Sequence, residues 1–71
     1  MDATAQPTCF LKDGHFAALR VLQKELGPEV LLTIDGDFTW SDRFQNDDAL
    51  RRAVDHITRD FIARGWRMWS N

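Results

Sequence analysis

The dipeptide Asp35-Gly36 constrains this chain more than any other short feature, because it stands between two runs of strand-forming residues. Residues 30–34 are rich in leucine and β-branched side chains, and residues 38–41 alternate large apolar with small polar ones. Asp-Gly is a favoured pair for the tight turn of a β-hairpin. The segment therefore predicts two antiparallel strands.

The register of this hairpin has two solutions. A two-residue turn places Leu31 and Thr33 beside the aromatic side chains of the second strand, whereas a three-residue turn with a glycine bulge places Val30 and Leu32 there. We favour the bulged register, because it gathers four large apolar side chains on one face.

Residues 35–39, Asp-Gly-Asp-Phe-Thr, also resemble the first motif of the haloacid dehalogenase superfamily, in which a hydrophobic strand ends in Asp-x-Asp-x-Thr. The resemblance implies a parallel α/β sheet, Asp35 as nucleophile toward phosphate, Asp37 as general acid or base, and a bound magnesium ion. It covers only this stretch, and glycine at the second motif position favours a turn. A chain of 71 residues is also too short for the sheet that such enzymes need, so the hairpin is the preferred interpretation.

Other constellations that carry chemistry are incomplete. Asp35, Asp37, Thr39 and Ser41 alternate oxygen-bearing side chains, but the stretch lacks the glycine and the bidentate glutamate of a calcium loop. No Ser, Cys or acid has a spacing that joins either histidine in a catalytic triad. We therefore expect no catalytic residues, no metal and no cofactor.

The first third of the chain predicts a strand and a helix. Residues 8–12 form a strand-like run, and Asp13 is placed to cap a helix over residues 14–26. Apolar residues in that segment recur at spacings of three, three and four, as on one side of a helix: Phe16, Leu19, Leu22 and Leu26. Gly27-Pro28 would end this helix.

A second helix is the clearest predicted element. Asn46 is placed to cap it, acids follow in its first turn, and Gly65 is placed to end it. Its apolar residues form one narrow stripe: Leu50, Ala53, Val54, Ile57 and Phe61. Residues 66–70 would supply a last strand.

The predicted order is strand, helix, strand, strand, helix, strand, which is the small ferredoxin-like βαββαβ sandwich of the α+β class. If the end strands fail, an αββα layer remains, with a central antiparallel hairpin whose sheet is completed by dimerisation. We expect a flexible leader at residues 1–7 and a single α+β domain at residues 8–71.

Composition places the chain among small globular proteins. It is 44% hydrophobic and 28% charged, and no apolar run approaches the roughly 18 residues that a bilayer requires. Its first residues do not resemble a secretory signal, so a cytoplasmic location is expected. Cys9 is the one cysteine in the sequence, which excludes an internal disulfide and predicts a buried thiol.

Charge and surplus aromatic residues point to a partner. We predict a small, non-enzymatic protein-binding or regulatory module, of the kind that phages and mobile elements use as inhibitors, and a homodimer is one form of it. The alternative is a regulator that binds nucleic acid through arginines of the second helix, although a pI near 5.5 disfavours nucleic acid. The candidate partner-binding residues are Asp35, Asp37 and Asp42 in an acidic hairpin, Trp66 and Trp69 near the C-terminus, and Arg52 and Arg59 on the helix.

Overall fold

A computed structural model describes residues 7–69 of the chain. Four strands follow one another, then one helix and a fifth strand: β1 (Thr8–Lys12), β2 (His15–Lys24), β3 (Gly27–Ile34), β4 (Asp37–Arg43), α1 (Asp47–Ala63) and β5 (Arg67–Trp69). They form one five-stranded sheet in the order β4-β3-β2-β1-β5, and every neighbouring pair is antiparallel. The helix carries the chain from the β4 edge to the β5 edge.

The predicted ferredoxin-like βαββαβ arrangement is wrong, because the segment expected to form the first helix is the strand β2. The αββα alternative is wrong for the same reason. Asp13 does not cap a helix: with Gly14 it forms a tight turn in which both residues have positive φ, 50° and 83°. Asp35 and Gly36 have nearly the same values, 54° and 85°. Both Asp-Gly pairs are thus hairpin turns of the same kind.

The strand β2 has apolar side chains on both faces, and this hides its two-residue period. Ala17 and Leu19 face the helix and are buried, whereas Phe16 and Ala18 lie on the opposite face. Because both faces are apolar, the leucines also fall at helix-like spacings. Gly27 does not end a helix either; it opens β3, opposite Lys24.

The β3–β4 hairpin combines features of both predicted registers. Its turn has two residues, since Ile34 pairs with Asp37, but a bulge follows one step later. Thr33 pairs with Phe38, whereas Leu32 pairs with Trp40, so the two aromatic side chains lie on opposite faces of the sheet. The predicted single face of four large apolar residues is therefore wrong.

The helix α1 confirms its predicted ends. The side chain of Asn46 accepts a hydrogen bond from the amide of Ala49 at 2.9 Å, which is the expected N-cap. At the other end Gly65 has φ 99°. The amides of Gly65 and Trp66 donate to the carbonyls of Ile62 and Phe61, each at 3.0 Å, which is a Schellman motif.

The core lies between α1 and one face of the sheet. Leu50 anchors the predicted helix stripe, and Val54, Ile57 and Phe61 pack beside it. The largest fully buried side chains at its centre are Phe10 and Val30, and burial of each stabilises the fold by about 1.5–3 kcal/mol. Among the described residues no helix is long and apolar enough to cross a membrane.

The remaining predictions concern the two ends of the chain. The predicted end strands are confirmed as β1 and, for residues 67–69, as β5. Cys9 is buried and free, as predicted. The predicted leader of residues 1–7 lies, apart from Pro7, outside the described residues.

Candidate functional site

The sheet face that α1 does not cover is the candidate site, and we call it the outer face. Side chains on directly paired residues share a face, so the strand register identifies its members. One row of paired residues crosses all five strands: Trp69, Cys9, Ala18, Thr33 and Phe38. Cys9 and Ala18 in the middle of this row are buried, whereas the aromatic side chains at its two ends are 46% and 66% exposed.

A third aromatic side chain joins this row. Phe16 pairs with Leu11, which places it on the outer face, and its ring lies 6.1 Å from that of Trp69 in an edge-to-face arrangement of 73°. Phe16 remains 38% exposed. Leu22 and Leu31 are half-buried on the same face. The outer face is thus an apolar surface with exposed aromatic side chains along the width of the sheet.

Cationic residues share the outer face with these apolar side chains. Register and alternation place four of them on the outer face with a single acid, Glu29: the cations are Arg20, Lys24, Arg43 and Arg67. Lys24 lies 3.5 Å from the Glu29 carboxylate. The three arginines are exposed and form no ion pair with any residue between 7 and 69. This face is therefore locally positive, although the chain has a net charge of -2.

The arginines of α1 have a different environment, because most of them pair with acids of the same helix. Arg51 lies 3.7 Å from Asp48, and Arg59 lies 3.1 Å from Asp55. Arg64, the C-cap of α1, lies 2.9 Å from Asp60. Such exposed pairs along a helix contribute only about 0.3–0.5 kcal/mol each, but they offset the positive charge locally. Arg52 is exposed and has no such pair in the described part of the chain.

The acids of the predicted acidic hairpin do not form one surface. The carboxylate of Asp35 lies 2.7 Å from Nδ1 of His15 and accepts the amide of Phe16 at 2.9 Å. The hydrogen bond with His15, followed by that from the Phe16 amide, lowers the pKa of the Asp35 carboxyl below its usual value. Asp37 and Asp42 pair with residues of the helix-covered face, so they do not share the outer face.

The two C-terminal tryptophans have different positions. Trp66 packs against Phe61 with ring centroids 5.1 Å apart and belongs to the rim of the core. Trp69 stands exposed on the outer face. Of the predicted partner-binding residues, Trp69 is the one that the fold brings onto this face.

The chemistry implied by the dehalogenase motif lacks its structural setting. Asp35 stands in a turn between antiparallel strands and not at the end of a strand in a parallel sheet. Within residues 7–69 no group of three or more His, Cys, Asp or Glu side chains is placed to hold a metal ion.

Sequence reasoning missed several residues of the outer face. Phe16 was assigned to the apolar side of a helix, Phe38 to a hairpin face shared with Val30, Leu32 and Trp40, and Arg20 to no site. The useful signal was the second Asp-Gly pair, at Asp13-Gly14, because reading it as a hairpin turn would have made the next segment a strand.

Comparison of the chain with protein-family models, with curated proteins and with solved structures finds no significant match.

Proposed function

We propose that this chain is a small, non-enzymatic protein-binding module that contacts its partner through the outer face. The observation that carries the proposal is the exposed aromatic series on a sheet face without a covering layer in the described residues: Phe16, Phe38 and Trp69. Sheets in small domains normally bury one face only, but the other face is then usually polar. Here it is apolar at its centre.

The composition of this face suits a protein interface. Trp and Arg are the residue types most enriched among the side chains that dominate binding energy. Phe38 and Trp69 lie on the two edge strands of the outer face, on either side of the buried Cys9 and Ala18, and Arg43 and Arg67 lie on the same two strands. A folded partner can cover all these groups at once.

The β4 edge is a less suitable contact surface. An edge strand offers unpaired backbone groups to another strand, and proteins protect such edges with bulges and charges. β4 has a bulge at Thr39, and Asp37 and Asp42 add like charges along it. The side chain of Asp42 also accepts the amide of Arg43 at 2.9 Å.

Nucleic acid is a weaker candidate for the partner. Binding through the helix arginines would have to compete with the ion pairs that Arg51, Arg59 and Arg64 make with neighbouring acids. Net negative charge removes the general attraction that phosphate binding exploits. We further propose that the module acts inside the cell and regulates its partner by occupying surface, as small inhibitors do.

The proposal is tested by selecting binders from a random library of 16-residue peptides displayed on phage. Selection uses the intact chain as bait, and the enriched peptides are then measured against variants by biolayer interferometry. Phe38→Ser and Trp69→Ser should each weaken binding at least tenfold, since truncation of an anchor residue costs about 2–4 kcal/mol. Ile62→Ser is the matched control, because Ile62 is a half-exposed apolar residue on α1, outside this face.

Two results would overturn this assignment. One is a set of enriched peptides that bind Phe38→Ser and Trp69→Ser as tightly as the unaltered chain. The other is the absence of any enrichment after repeated rounds. Thermal unfolding of each variant establishes that the fold is intact, which the exposure of both aromatic side chains leads us to expect.

A further inference from the structure

We infer that the partner presents an acidic surface to the outer face, an inference that rests on the proposed function and specifies its chemistry. The supporting juxtaposition is that of exposed aromatic side chains with three arginines that form no ion pair within residues 7–69: Arg20, Arg43 and Arg67.

The charges of this domain are separated by face. The outer face has one acid among the residues assigned to it, Glu29, and that acid lies near Lys24. The helix α1 alone contains four acids, of which two lie within 4 Å of an arginine of the same helix and a third lies within 4 Å of the C-cap Arg64. β4 places Asp37 and Asp42 on the covered side. A partner that approaches the outer face therefore meets positive charge first, whereas one that approaches α1 meets a mixed surface.

The positions of the three arginines favour contact with several acids at once. Arg67 pairs with Leu11 of β1, in the row next to the one that contains Trp69. Arg20 pairs with Leu31 of β3, in the row on the other side of the row that contains Trp69. Rows on one strand face are about 6.8 Å apart, so these two cations lie on either side of the aromatic row. Guanidinium groups bind carboxylates through two parallel hydrogen bonds, which sets orientation as well as attraction.

A second copy of the chain is disfavoured as the occupant of this face. Two copies related by a twofold axis would bring the same surface together, so the arginines of one outer face would approach those of the other. Like charges placed across an interface oppose association unless acids lie between them, and Glu29 is already near Lys24. Self-association through the outer face is thus an alternative outcome of the test.

The test determines the charge of the peptides enriched from the same displayed library. We expect enriched peptides to carry net negative charge next to large apolar residues. The triple change Arg20→Glu, Arg43→Glu and Arg67→Glu should lower the association rate about tenfold or more, and raising NaCl from about 25 to about 250 mM should lower it in the unaltered chain. The matched control is Arg51→Glu, Arg52→Glu and Arg59→Glu, which makes the same change of charge on α1.

The outcomes separate this inference from the proposed function. Peptides that need Phe38 and Trp69 but are neutral or basic, or that bind the outer-face triple variant normally, would overturn the inference and leave the proposed function standing. Peptides that ignore the aromatic changes would overturn both. A single-stranded dT20 oligonucleotide serves as a further probe: binding that depends on Arg20 and Arg67 would make the ligand nucleic acid. If sedimentation analysis shows a dimer that Arg20→Glu converts to a monomer, the occupant of the outer face is a second copy of the chain.

Discussion

The Nδ1 atom of His15 lies 2.7 Å from Oδ2 of Asp35, and this contact joins the first residue of β2 to the turn between β3 and β4. The other oxygen of the same carboxylate accepts the amide of Phe16 at 2.9 Å. The acid that resembled a catalytic nucleophile in the sequence therefore holds two hairpins together at the end of the sheet.

This contact predicts a dependence of stability on pH. The hydrogen bonds from His15 and the Phe16 amide lower the pKa of Asp35 in the folded state below 3.8. A carboxyl group of this kind stabilises the folded state above its unfolded pKa, and the contribution is lost as pH falls through the folded pKa. When urea midpoints are measured from about pH 6 down to about pH 3, the largest decrease should therefore occur at the low-pH end of this interval.

Asp35→Asn provides the control for this pH dependence. Asparagine tolerates the positive φ of this turn, so the variant keeps the hairpin and removes the charge. We expect its urea midpoint to fall less steeply below about pH 5 than that of the unaltered chain. If the urea midpoints of the two proteins change with pH in the same way, the contact with His15 does not contribute to stability.

The sign of a Gly14→Ala effect distinguishes a strand from a helix at residues 15–24. Gly14 has φ 83°, and a side chain there costs about 1–2 kcal/mol. In a helix starting at Asp13, the same change would stabilise the protein, because alanine favours helices more than glycine does. Chemical denaturation should show a lower free energy of unfolding for Gly14→Ala, and Gly36→Ala should lower it by a similar amount. Open space surrounds both positions, so no collision contributes.

Gly27→Ala should be more damaging than either turn substitution. Gly27 has φ 122°, and a Cβ there would collide with the backbone carbonyl oxygen of Phe44. Backbone atoms cannot rotate away, so β3 and the segment before α1 would have to separate. We expect a loss of about 3 kcal/mol or more in the free energy of unfolding. A loss no larger than that of Gly14→Ala would contradict the close approach of Phe44.

Asn46→Ala tests the start of α1. Removal of the side chain leaves the Ala49 amide without its 2.9 Å acceptor, and such losses cost about 1 kcal/mol. Asn46→Asp is the matched control, because aspartate caps helices about as well as asparagine. Equal stability of the alanine and aspartate variants, measured by thermal unfolding, would mean that the cap contributes nothing.

The sequence predicted α1 well because its signals are local. The cap at Asn46, the stripe that begins at Leu50 and the stop at Gly65 each depend on residues close in the chain. β1 and β5 were also found, although β5 forms only through pairing with a distant strand.

The sequence failed at β2 because local and global signals conflict there. β2 lies at the centre of a five-stranded sheet and is apolar on both faces. Its sequence therefore does not alternate apolar with polar residues as a strand with one exposed face does. The candidate site suffered from the same error. With residues 14–26 taken as a helix, Phe16 and Arg20 could not be placed on the same sheet face as Phe38, so the outer face was not predicted. Of the residues on the outer face, Trp69 is the one that was also among the predicted partner-binding residues.

The pairing of β1 with β5 gives the proposed site a kinetic weakness. Cys9 and Trp69 pair across sixty residues of chain, whereas the other strand pairs are adjacent hairpins. Contacts between residues far apart in the chain cost the most conformational entropy, because a long loop must close to form them. We therefore expect β5 to dock last during folding and to detach first in the native state. With three residues in this strand, such opening would remove Trp69 and Arg67 from the surface while the four-stranded meander persists, so binding can be lost by local unfolding alone.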